Sequence, residues 1–417
     1  MNSAVLRGGD AFLARWEGLR DQLPGDTVAR ADAADAFRRT GLPGVRMEAW
    51  RYTNLRPVAE LAWEEPLTGV DNAPPADLPS VELPRLVFLD GRFQPSMSSL
   101  PPFAATFADV PAFVPRAGLD GQPMVALNTM FATDGAVLTV PAGMDAGTVE
   151  LVSLATDQHR PMAFHPRHRV TLGAGAKLSL IERAAGQGTY LHNAVCEVSV
   201  AEGATLTHVA LQDEAPGAFT VVTRYVDVAE NGTYDAFVLN VGARLSRTEI
   251  HARLLGPRAT AHLNGAQLLG ESQHGDVTTV VAHDAPHCGS RQTVKNVLTD
   301  RSRGVFQGRI EVARVAQKTD GYQMSQALLL SPDAEVDCKP ELQIYADDVK
   351  CSHGATVGEL DEEQMFYLRS RGVPEREARA LLIRAFLAEA LDQVVHEDAR
   401  PMLDAAIERW WDRRDAA

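Results

Sequence analysis

The chain has 417 residues, 45% of them apolar, and a formal net charge of −15. That length supports two or three structural units, or one elongated domain with appendages, and a core large enough to fold without disulfides or metal. The acidic balance argues against a nucleic-acid binder, which would present a basic face.

Met1 to Gly9 lack an apolar signal core, and no stretch has the apolar length of a membrane helix, so a soluble, cytoplasmic protein is expected. The cysteines Cys196, Cys288, Cys338 and Cys351 form no Cys-x-x-Cys pair. This is not a disulfide framework, and it suits a reducing compartment.

Residues 10 to 56 read as helical. Asp10 is placed to cap a helix whose Phe12, Trp16, Leu19 and Leu23 share one face. Pro24-Gly25 breaks that pattern, and Asp26 is placed to cap a second, alanine-rich helix running to about Arg39. Residues 57 to 84, centred on Pro74-Pro75, read as a linker by composition. Leu86 to Leu89, Asp90-Gly91 and Arg92-Phe93 read as a β-hairpin.

From about Leu138 to Val357 the chain is a series of short β-branched runs between Gly or Asp turns. Gly175-Ala176-Lys177-Leu178-Ser179-Leu180 recurs 28 residues later as Gly203-Ala204-Thr205-Leu206-Thr207-His208, with looser echoes at Gly232, Gly256 and Asp333. A period of this length with a small residue at each corner predicts a solenoid of strands; a β-sandwich is the alternative the residues leave open.

After Gly358 the period is helical. Asp361 and Gln364 mark a start, Gly372 a stop and Pro374 a second start. The helix from about Pro374 to His396 is apolar around most of its circumference, from Ala378 and Leu381 to Val394 and Val395. It is either sandwiched within its own domain or partly turned to a partner. A final helix from Pro401 ends in Trp410-Trp411.

The leading chemical feature is Cys351-Ser352-His353, after an Asp347-Asp348 turn. In a strand Cys351 and His353 point to one face, where a thiol and an imidazole offer two metal ligands or an activated thiol. Two ligands do not close a tetrahedral site, so the others must come from elsewhere, including another chain. An inert thiol beside a surface histidine is the alternative. His283, His287 and Cys288 offer three zinc ligand types, but Pro286 forbids the helical turn such a spacing usually uses. His165-Pro166-Arg167-His168 reads as turn chemistry. No P-loop, dinucleotide fingerprint, zincin motif or nucleophile elbow occurs.

The segment Ile344 to Gly358 resembles the C-terminal signature of the SufD proteins, scaffold subunits of the SUF iron–sulfur cluster assembly machinery within the SufB/SufD family. The resemblance continues through Glu359 to Glu363 and Met365 to Gly372. It extends to Gln317 to Asp320, Leu328 to Ser331 and Glu48-Ala49-Trp50-Arg51-Tyr52-Thr53.

What it implies is a mainly β fold, a right-handed parallel β-helix with helical N-terminal and C-terminal regions. The implied units are a helical region with linker (1–84), the β-helix core (85–358) and a helical partner-docking region (359–417). The implied role is a non-catalytic scaffold that pairs with SufB and recruits the SufC ATPase. Leu382, Phe386, Leu387 and Leu391 would form the SufC face. His353, as a ligand or proton-handling group, and Cys351, as a nearby thiol, would serve a transient cluster shared with SufB. No cofactor would be permanently bound. Reduced flavin is linked to the family's complex, and no residue pattern here marks its site. Cys338 stands where relatives are expected to carry threonine, and either adds a thiol or fills the core. The competing readings are SufB itself, a β-helix polysaccharide lyase or hydrolase, and an inert structural homodimer.

Overall fold

Strands account for 43% of the described residues and helices for 24%, and the strands wind into a β-solenoid of about eight turns with helices at both termini. The computed structural model describes residues 8–67, 83–109, 119, 121–394 and 396–415.

Successive strands alternate between two ten-stranded sheets. Apart from a short antiparallel pairing at the first end of each sheet, every ladder is parallel, which excludes the sandwich alternative. The 28-residue echo is one coil: Lys177 pairs with Thr205 and Leu178 with Leu206. The same inward-facing column continues through Tyr234, Ala261, Ser290 and Gly321 to Cys351. Its early members are buried apolar side chains stacked coil on coil, the arrangement that makes a solenoid core.

One corner of each coil uses a left-handed residue two positions before the strand. Gly175 and Gly203 occupy it first, followed by Asn231, Arg258, His287 and Lys318, all with φ between 56 and 66°. The N–H of each donates to a carbonyl of the next coil's corner, from Gly175 to Glu202 (2.8 Å) through His287 to Gln317 (2.9 Å). The Asp333 echo is a corner of the other sheet, leading into Glu335–Ile344.

The hairpin forms as read, with Phe88 opposite Phe93 and left-handed Asp90 and Gly91 at its turn. The first helix, Gly9–Leu19, is preceded by Gly8 (φ 67°) and not capped by Asp10, which sits in the first turn. Asp26 does cap Thr27–Thr40, accepting from the N–H groups of Val28 and Ala29. A further helix, Pro123–Phe131, gave no sequence signal because all nine residues are buried and no polar face marks its period. These helices cover the outer face of one sheet through Phe12, Trp16, Phe37, Leu127, Leu191 and Phe219. Of the expected linker, Trp63 is buried, its indole N–H donating to Val58 O (2.7 Å). Pro74-Pro75 lie outside the described residues.

At the other terminus Asp361 caps Glu362–Ser370, and left-handed Gly372 (φ 86°) follows its end. Pro374 precedes Glu375–Leu391, which is shorter than read; Ala399–Asp415 is the last helix. Val395 lies outside the described residues. The wide apolar surface is explained by sandwiching. Ile383, Leu387, Ala390 and Leu391 are buried between the outer face of the other sheet, including Val209, Phe237 and Leu268, and the last helix at Leu403 and Trp410. Leu387 and Leu391 are therefore core residues and not a docking face. Leu382 and Phe386 are half-buried, and Phe386 lies under Lys295 Nζ (4.5 Å to the ring centre). Among the described residues of this region, the exposed large apolar side chains are Phe366 (74%), Tyr367 (58%) and Leu381 (49%).

Candidate functional site

The last coil ends the stack. Glu335–Ile344 is the outermost strand of one sheet and Lys350–Gly358 the outermost of the other, so each has a neighbour on one side only. The N–H and C=O groups of their outer edges find no strand partner among the described residues. Between them the chain bends at Asp347-Asp348, as read. Asp348 O accepts from Lys318 N (2.6 Å), and the Asp348 carboxylate pairs with the Lys318 ammonium.

Cys351 and His353 lie on the terminal strand, paired with Gly321 and Gln323 of the coil behind. Cys351 packs with Ile310 and Leu342 at the open end of the interior. It is half-buried, and His353, two positions on, is exposed. The sequence expectation that both share one face holds, and that face is the interior side of an unsealed solenoid.

Burial pushes the Cys351 thiol up, only partly opposed by a hydrogen bond from the Gly321 backbone, so at neutral pH it is a thiol and not a thiolate. Metal binding here would have to displace that proton.

Cys338 faces the interior from the opposite sheet, packed with Val277, Val294 and Phe306. Burial raises this thiol too, with a hydrogen bond from the Ser325 hydroxyl opposing it. Cys338 is thus half-buried packing near the same open end. Among the described residues, no three His, Cys, Asp or Glu side chains come together as a metal site. Cys351 and His353 are a half-site at most within one chain.

The other histidines resolve into structure. His283 is fully buried and shares a hydrogen bond with Ser290 Oγ (2.9 Å). Burial lowers it to about 4. His287 is the exposed left-handed corner residue, and buried Cys288 donates to Gly256 O (3.3 Å). These three are not a ligand set. His165 and His168 are buried, not loop ligands; His168 Nδ1 accepts from Ala136 N (2.9 Å).

Sequence reading missed a buried ionic interior. Glu182 accepts from Arg224 (2.7 Å) and shares a hydrogen bond with His208 Nε2 (2.9 Å), and Tyr234 meets His208 Nδ1 (3.1 Å). Burial pushes the Glu182 carboxyl up, but Arg224 and His208 together hold it well below the usual range. The residues are spread over 53 positions, from Glu182 to Tyr234, and only the coil register unites them.

Comparison with known proteins agrees with this geometry. Residues 154–386 match the family model described as SUF system FeS cluster assembly, SufBD core domain. The chain is 32% identical to the iron–sulfur cluster assembly protein SufD of Escherichia coli (strain K12), over 88% of this chain and 89% of that one. It is 31% identical to an iron–sulfur cluster assembly SufBD family protein of Synechocystis sp., over 88% and 86% of the two chains. With a solenoid core, an open terminal coil and relatives of this extent, the chain belongs to the SufBD family of SUF-system iron–sulfur cluster assembly proteins.

Proposed function

We propose that this chain is a non-catalytic scaffold subunit of SUF iron–sulfur cluster assembly, and that its open solenoid end meets SufB. The observation that carries the reading is the placement of Cys351 and His353 on one face of a terminal strand whose outer edge has no strand partner among the described residues. An edge strand recruits a partner strand by backbone hydrogen bonding, and side chains beside that seam become shared between chains. Thiolate and imidazole are both accepted iron–sulfur ligands. A half-site on each chain holds a nascent cluster, here the cargo, without trapping it as complete ligation by one chain would.

SufC recruitment belongs, on this reading, to the exposed apolar residues of the C-terminal helices. Phe366, Tyr367 and Leu381 replace Leu387 and Leu391 as the contact residues, and Phe366 lines a hollow with Leu330, Leu360 and Met365 among charged residues such as Glu362 and Arg369.

The test is co-expression of the chain with its cognate SufB and SufC, pull-down on one tag, and measurement of subunits and iron–sulfur absorbance. His353→Ala is expected to retain the complex and lose most of the cluster signal. A complex with unchanged cluster yield would remove the site assignment. Recovery of the chain only as a homodimer would remove the partner assignment.

A further inference from the structure

The segment Glu48 to Thr53 lies across the outer face of the sheet that ends in Glu335–Ile344, and its contacts follow the solenoid axis. Four consecutive strands of that sheet carry the register column Glu249, Thr278, Gln307 and Lys339, with Arg247 beside Asp276 in the adjoining column.

The segment touches all four strands. Arg247, fully buried, lies over the Trp50 ring at 4.2 Å and pairs with Asp276 and with Glu249 (3.1 Å). Thr53 Oγ1, also fully buried, donates to Asp276 and lies 2.9 Å from His274 Nε2. Gln307 Nε2 reaches Ala49 O (3.4 Å) and Thr278 Oγ1 (3.2 Å). Lys339, on the terminal strand, pairs with Glu48.

Coils of a solenoid otherwise contact only their neighbours, so a terminal coil with one neighbour is the first to fray. A segment hydrogen-bonded or ion-paired to side chains of successive strands, like the helices packed on the sheets, is an exception to that rule.

We infer that Glu48 to Thr53 is a clasp that ties the terminal strand Glu335–Ile344 to the three strands behind it, so that release of the clasp and loosening of that strand are one coupled event. The exposed Glu48–Lys339 pair contributes register more than energy, because solvent screens it. The anchor is buried: Trp50 on Arg247, and Thr53 on Asp276. Asp276 keeps Arg247 when the Thr53 hydroxyl is lost, so Thr53→Val loosens the clasp without stranding a buried charge.

Hydrogen exchange measured by mass spectrometry on the full chain tests the coupling. Thr53→Val is expected to raise exchange about tenfold in residues 48–53 and in 335–344 together, leaving Phe219–Val228 as in wild type. The milder Glu48→Lys is expected to raise exchange in 335–344, and adding Lys339→Glu with Glu341→Lys to restore it, since Glu341 lies 3.3 Å from Lys339 Nζ and would otherwise repel the new carboxylate. Wild-type exchange in 335–344 while 48–53 exchanges freely would overturn the inference. So would an equal rise in every strand, or failure of the charge swap to restore protection.

Discussion

Cys351 lies directly over Gly321, its partner one coil back. A Cβ placed on Gly321 would come 3.4 Å from Cys351 Sγ and 3.2 Å from Ile310 Cδ1. A Cβ alone would touch the sulfur at ordinary contact distance and crowd Ile310 slightly, so it takes a larger, branched side chain at 321 to compete with Cys351 for this room. Gly321→Val is expected to push Cys351 outward and speed its alkylation by iodoacetamide several-fold. Peptide mapping of the labelled thiols, with Cys351→Ala as control, gives the rate; an unchanged rate would mean the terminal strand yields elsewhere.

The Glu182–Arg224 pair sits inside the solenoid with His208 as its second partner. Removing Arg224 leaves the buried Glu182 carboxylate with His208 alone, a group whose charging burial disfavours. Arg224→Ala is expected to cost about 3–5 kcal/mol in denaturant unfolding. The double variant Glu182→Leu with Arg224→Met is expected to recover much of that loss, since paired burial of charge is expensive in itself.

Acid sensitivity has a defined window. Burial pushes the Glu249 carboxyl up, but Arg247 and His251 outweigh it and hold it at about 2. A carboxyl depressed in the folded state stabilises the protein above its unfolded pKa, and that contribution is lost as pH falls from about 4.5 to about 2. The shift corresponds to about 3 kcal/mol. His168, lowered by burial to about 4, adds a loss beginning higher, between about 6.5 and 4. The pH dependence of the unfolding midpoint is expected to flatten below pH 4.5 in Glu249→Gln.

Leu387 and Phe366 separate core from surface. Leu387 is fully buried, so Leu387→Ala is expected to cost about 2–5 kcal/mol. Phe366 is 74% exposed, so Phe366→Ser is expected to change stability by less than about 0.5 kcal/mol. On the proposed function it also weakens SufC capture. Thermal unfolding and pull-down of the two variants read these effects independently.

The corner residues show how much was legible beforehand. Gly175 and Gly203 announce the coil because glycine adopts positive φ without penalty. Asn231, Arg258, His287 and Lys318 adopt the same backbone with ordinary side chains, so the repeat fades to the eye while the geometry continues. The Cys351/His353 pair was legible because strand alternation alone puts both on one face. The Glu182 cluster was not, because its members meet only through stacking of coils. Leu387 was misassigned because an apolar helix surface looks alike whether a sheet or another chain covers it.

The corners also yield a test of the discarded zinc reading. His287→Gly removes a left-handed strain of about 1–2 kcal/mol at some cost in chain entropy, and is expected to leave stability equal or slightly higher. Gly203→Ala meets open space, so its expected loss of about 1–2 kcal/mol is conformational alone. Added zinc is expected to leave the wild-type Tm unmoved; a rise abolished by His287→Gly would revive the metal site.

The two ends of the solenoid differ in kind. At the first end the outermost strands are stubs of two and three residues turned antiparallel, Arg92–Phe93 and Ala104–Thr106. At the last they run ten and nine residues, Glu335–Ile344 and Lys350–Gly358. A rod with one blunt tip and one adhesive tip can join a single neighbour end to end, after which no adhesive tip remains. On the proposed function that one joining uses up the only long edge pair among the described residues, so the polarity of the winding favours a closed pair over a fibre.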